Sequence, residues 1–105
     1  MKEISPKELE QMRATNEDFQ LIDIREAYET ESVQIGGQVI PMDQVLERSS
    51  ELRKDCKVIF LCRTGKRAAA VIDALERTQG MENLYRLTGG IFGYIDSVEP
   101  ALPKY

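Results

Sequence analysis

Cys62 ends an apolar run and is followed by Arg63, Thr64, Gly65, Lys66 and Arg67, so three cations fall within the five residues after one thiol. Residues of these types in this order can build an anion-binding loop that favours a thiolate. Gly65 is free to take a positive φ, which lets the short segment from Cys62 to Arg67 turn several backbone NH groups inward toward one point. A helix that begins there adds the positive end of its dipole. That terminus alone contributes roughly 0.3 to 1 kcal/mol, too little to activate sulfur unaided. Inward NH donors and neighbouring guanidinium or ammonium groups push further in the same direction. Arg63, Lys66 and Arg67 supply charge for a small anion and Thr64 a hydroxyl donor. The plainer readings are a buried structural cysteine for Cys62 and solvated charge for Arg63 and Lys66. Arg67 differs: a cation at a helix start opposes the dipole and requires a bound anion or an acidic neighbour.

The rest of the composition narrows the chemistry. The chain has 105 residues, a formal net charge of -4 and no histidine. Cys-His and Ser-His-Asp catalysis are excluded with the commonest metal ligand, so any activation of Cys62 must come from the loop. The acidic balance, with no basic stripe, argues against nucleic acid. The length suits one domain, residues 1–105, and 42% hydrophobic with 30% charged residues suits a soluble globular one. No apolar run approaches a membrane span and MKEISPKELE has no signal-like stretch, so the expected location is cytoplasmic, with no membrane partner and with Cys56 and Cys62 both reduced. Cys56 precedes a strand and lacks a cation-rich loop, which favours a structural role; a resolving thiol would require it to lie close to Cys62. Met12, Met42 and Met81 read as packing residues rather than a ligand set.

Several elements must position the loop. Ser5, Pro6 and Glu8 mark a helix start with a capping box, and Leu9 and Met12 fall on one face after it. Phe19 to Arg25 reads as a buried strand finishing near Asp23, followed by a polar, solvated stretch, EAYETE. Gly36 and Gly37 turn the chain into a short strand at Val39 and Ile40, and DQVLERSSEL reads as a helix. Lys57 to Cys62 is a continuous apolar run, the pattern of a central strand covered on both faces. Arg67 to Gly80 is a helix with Ala68, Val71, Ile72 and Leu75 inward. LYRLTGG gives another strand, and GIFGYIDSVEP a last helix. Alternating strands and helices make an α/β fold with a mostly parallel sheet of about five short strands and helices on both faces. Cys62 then lies at a strand's carboxyl end, where such sheets bind ligands. Asp23 and Arg25 end a strand on the same side and read as a supporting ion pair or backbone hydrogen-bonding group.

The segments LIDIR, VIFLC with its loop CRTGKR, and LTGGIFGYI occur in the order found in rhodanese domains, which this chain resembles over nearly its whole length. That resemblance implies a rhodanese-like three-layer fold. It also implies sulfur transfer through a persulfide on Cys62: a donor such as thiosulfate gives up its outer sulfur, releases sulfite, and the sulfur passes to a thiol or cyanide, without cofactor or metal. The segment SVQIGGQVIPM, with no histidine, and the tail DSVEPALPKY are similar to rhodanese domains fused behind adenylyltransferases of the MoeB and ThiF type. This implies a ubiquitin-like sulfur-carrier protein as a further acceptor. Two alternatives stand beside it. A phosphatase or arsenate reductase of the Cys-x5-Arg kind would need arginine at position 68, which is Ala68. A non-catalytic rhodanese module used for binding would not need the full cysteine loop that this chain keeps.

Overall fold

The capping signals at Ser5 are realised: Glu8 N donates to Ser5 Oγ at 3.1 Å and Ser5 N donates to Glu8 Oε1 at 3.0 Å. The computed structural model, which describes residues 1–104, runs β1 (Glu3–Ile4), α1 (Pro6–Ala14), β2 (Phe19–Asp23), α2 (Ala27–Ser32) and β3 (Gln38–Val39). It continues through β4 (Lys57–Leu61), α3 (Lys66–Gln79), β5 (Leu84–Leu87) and α4 (Gly90–Ser97). All the strands pair in parallel, in the order β1-β5-β4-β2-β3.

The apolar run of β4 forms the middle of this sheet because both of its faces are covered. Val58 and Phe60 pack with Ala68, Val71, Ile72 and Leu75 of α3, whereas Ile59 and Leu61 pack with Leu9 and Met12 of α1 and with Ile91, Tyr94 and Ile95 of α4. The period-two alternation of a strand divides one apolar run between two cores. Each such side chain contributes roughly 1.5 to 3 kcal/mol of burial. Met12 and Met81 are buried within these cores and Met42 packs against one of them.

Two expectations about elements change. DQVLERSSEL does not form one helix; Met42–Gln44 and Ser49–Glu51 form separate 3-10 turns. Only Val45 and Leu52 of this stretch are buried, seven residues apart, while Leu46 is 50% exposed. With nothing buried at the three- and four-residue spacings between them there is no apolar stripe, and Ser49 and Ser50 are weaker helix formers. The two-residue β1 was not expected, because no periodicity can show in two residues. It is held by pairing Glu3 with Arg86 and Ile4 with Leu87 of β5.

The connection from β2 leads outward to β3, and that from β4 leads the other way to β5, so the chain reverses direction between β2 and β4. A crevice opens there beyond the strands' carboxyl ends. Cys62 follows β4 into it and Asp23 ends β2 beside it; their neighbours are tied together by Ile24 N donating to Leu61 O at 3.0 Å.

Asp23 and Arg25 meet behind this crevice as an ion pair in which both residues are fully buried. Arg25 Nη2 donates to Asp23 Oδ2 at 2.8 Å and Nε to Oδ1 at 3.0 Å. The remaining donors reach the carbonyls of Glu29 (3.4 Å) and Val33 (2.7 Å), which secures α2 to the end of the sheet. Removing one partner strands the other charge in the interior. Asp23→Ala should therefore lower unfolding free energy by about 3 to 5 kcal/mol in urea titration. Asp73→Ala, which breaks only the exposed Arg77 pair, should change it by less than about 1 kcal/mol.

Candidate functional site

The turn after β4 is made by Gly65, whose φ of +107° is open to glycine and costly for other residues. It serves as the N-cap of α3, and its NH donates to Cys62 Sγ at 3.1 Å. The thiol is only 1% exposed, yet it forms part of the wall of an open cavity of about 400 Å³ with Arg63, Thr64, Lys66 and Arg67. Tyr28 and Glu29 of α2 complete that wall.

The loop is gripped from behind by the start of α4. Ile91 N donates to Cys62 O at 2.8 Å and Phe92 N to Arg63 O at 3.1 Å. Across a trans peptide the NH points opposite to the C=O, so fixing these two carbonyls toward α4 turns the Arg63 and Thr64 NH groups away from it. An approach this close requires glycine. A Cβ on Gly90 would lie 2.5 Å from both carbonyl oxygens, and its φ is +62°.

The structure thus brings Cys62 and all five residues that follow it together at one strand end. Gly65 acts there through its backbone. Asp23 and Arg25 do not line the cavity; they sit behind it and hold α2. Arg63 lies 5.9 Å from the Phe92 ring centre and 3.4 Å from Glu29. Cys56 stands at the opposite end of β4, about 20 Å away at roughly 3.3 Å per residue, too far for a disulfide with Cys62.

Glu29 overturns the reading of EAYETE as a solvated face. It is 1% exposed, and Arg67 donates to both of its carboxylate oxygens at 2.7 and 2.8 Å. The Glu26 NH donates to it at 3.0 Å. The hydrogen-bonded Arg67 guanidinium, opposed by burial and aided by the Glu26 NH and Arg63, pulls the Glu29 carboxyl down to about 2. In return Glu29 holds Arg67 protonated more firmly than an ordinary arginine. Here is the acidic neighbour that a cation at a helix start demanded. The only trace of it in the sequence was that demand, which did not say which of the chain's 18 acidic residues would answer it. Ala68 is fully buried in the core, so the position at which a Cys-x5-Arg loop places its arginine faces away from the cavity.

Residues 5–97 match the rhodanese-like domain family. The chain is 34% identical over 94 residues to the Arabidopsis thaliana protein named rhodanese-like/PpiC domain-containing protein 12, chloroplastic, covering 85% of this chain and 31% of that one. It is 30% identical over 105 residues to the probable adenylyltransferase/sulfurtransferase MoeZ of Mycobacterium tuberculosis, covering 97% of this chain and 26% of that protein. The chain therefore spans between a quarter and a third of these relatives' length. Among solved structures, a rhodanese-related protein from Thermoplasma volcanium superposes with a TM-score of 0.81 at 26% identity, over 95% of this chain and 96% of that one.

Two outcomes follow from this geometry. Gly90→Ala and Gly80→Ala place alanine at nearly the same φ, +62° and +63°, but only Gly90 has atoms in the way. Both variants should lose about 1 to 2 kcal/mol of stability in urea. Gly90→Ala alone should lose more and alter the rate at which iodoacetamide alkylates Cys62, read by peptide mass spectrometry. Glu29 has a lowered carboxyl, so its share of stability is complete above about 4.5 and is lost as pH falls through about 2. Acid titrations of folding should show Glu29→Gln with a shallower decline than the parent in that window.

Proposed function

The chain belongs to the rhodanese-like family, a family of sulfurtransferases, and on that premise we propose that it carries sulfane sulfur as a persulfide on Cys62. The observation that carries this reading is the Gly65 NH held 3.1 Å from Cys62 Sγ in a loop whose cavity wall is lined by cations.

In the first half-reaction the Cys62 thiolate attacks the outer sulfur of thiosulfate. The S–S bond of the donor breaks, its electron pair leaves with sulfite, and a Cys62 persulfide remains. In the second, an acceptor thiolate attacks the outer sulfur and takes it as a new persulfide, which restores the Cys62 thiolate; cyanide would leave as thiocyanate. Charge on sulfur develops next to the Gly65 NH and the start of α3, groups already oriented before reaction. Arg63, Lys66 and Arg67 give the cavity wall the positive charge that draws in an anionic donor, and Thr64 adds a hydroxyl donor. Asp23 and Arg25 keep α2 in place beside it.

The MoeZ relative, named as an adenylyltransferase/sulfurtransferase, supports a thiocarboxylate-forming sulfur-carrier protein as a natural acceptor. A reducing, cytoplasmic setting suits two free thiols. Nothing in the site favours phosphate ester hydrolysis, since Arg67 is engaged by Glu29 and Ala68 is in the core.

After treatment with thiosulfate and removal of excess donor, Cys62 should gain about 32 Da, one sulfur atom, and Cys56 none, because transfer requires a thiolate and burial pushes the Cys56 thiol up, away from that form. Cyanide should remove the added mass as thiocyanate. An unmodified Cys62, or unchanged thiosulfate:cyanide turnover in Cys62→Ser, would sink the proposal.

A further inference from the structure

The three cations around Cys62 are not equivalent. Arg67 spends both terminal nitrogens on Glu29, and Arg63 stands against the same carboxylate and the Phe92 ring. Among the described residues Lys66 makes no ion pair or side-chain hydrogen bond, and it is exposed at the cavity. Glu29 is thus an anion built into an anion-binding wall. Before the charge on sulfur is counted, it reduces the wall from three formal positive charges to two. Its side chain is held by the Glu26 NH and both arginines, and its own carbonyl by Arg25, which fixes it at the wall.

We propose that Glu29 is a specificity-determining residue, an internal counterion that withholds Arg67 from bound anions and leaves Lys66 as the cation that meets them. The reason lies in turnover. The incoming donor and the outgoing product of the proposed reaction are both small dianions. A wall with three available cations would tighten both alike, and a product held more tightly leaves more slowly, which lowers turnover. With Glu29 in place the wall draws in a dianion and still releases one. A merely structural Glu29, stapling α2 to α3, would give a different pattern on substitution: lower stability, with anion affinity unchanged or weakened.

The inference rests on the reading above for the identity of the anions, but its test does not require sulfur transfer. In a Cys62→Ser background, inorganic sulfate is titrated at constant ionic strength and followed by the NMR shift of the Gly65 amide. Glu29→Gln should bind sulfate about three- to tenfold more tightly, as expected for removing one like charge from a water-exposed site. The neutral pair Glu29→Gln with Arg67→Gln should return to within about twofold of the background protein, and Lys66→Gln should weaken binding by about threefold or more. With Cys62 present, Glu29→Gln should lower KM for thiosulfate and kcat together and strengthen inhibition by sulfite. Sulfate affinity that is unchanged, weaker or undetectable in Glu29→Gln overturns the proposal. Should that single variant not fold, a tenfold loss of sulfate affinity in the neutral pair would overturn it instead, by showing that Arg67 itself binds the anion. Sulfate results of either kind leave the mass-shift experiment on Cys62 intact, so the two readings fail separately.

Discussion

A peptide group cannot turn its NH toward one side without turning its carbonyl toward the other, and the site around Cys62 depends on this constraint. A short loop that offers NH groups to an anion must find partners for its outward carbonyls, because unpaired backbone groups in a buried setting cost about 1 to 3 kcal/mol each. The first NH groups of α4 answer the Cys62 and Arg63 carbonyls. Those donors are spare in any helix, having no partner of their own within it. One helix start therefore organises the back of the loop while another, that of α3, faces its front. Gly90 permits the first arrangement and Gly65 the second.

Charge is ordered by a second chain of contacts that begins deeper. Asp23 neutralises Arg25, and Arg25 spends its remaining donors on the carbonyls of Glu29 and Val33. This secures α2 and with it Glu29, whose carboxylate fixes Arg67 at the cavity wall. Among the described residues no buried side-chain nitrogen or oxygen lacks a hydrogen-bond partner. A fully satisfied ionic network of this kind contributes less to net stability than to holding groups in one arrangement, since desolvation offsets much of its Coulombic gain. It places a pair of opposite charges next to a thiol in a chain whose other acids and bases mostly meet water.

Local signals in the chain were legible where they were strong. The capping box at Ser5, the apolar run of β4, the inward face of α3 and the positive φ at Gly65 were each written in a few adjacent residues. The stretch from Asp43 to Leu52 misled because helix-forming residue types occurred there without a stripe of buried ones, and tertiary packing supplied no reason to complete a helix. Two-residue β1 carried no pattern at all and exists only because β5 offers it an edge.

The sequence by itself determined the thiol, the cations and glycine that follow it, the absence of histidine, and the order of strands and helices that brings Cys62 to a strand's carboxyl end. These depend on spacing along the chain, which the residues express directly. Which acid would face Arg67 and which glycine would admit the Cys62 and Arg63 carbonyls were decided only by the tertiary structure. Glu29 lies 38 residues from Arg67 along the chain, and nothing in its neighbours distinguishes it from a solvated glutamate. Only holding α2 beside the loop, through Arg25 on one side and Arg67 on the other, desolvates it, and desolvation is what makes its charge matter to the site.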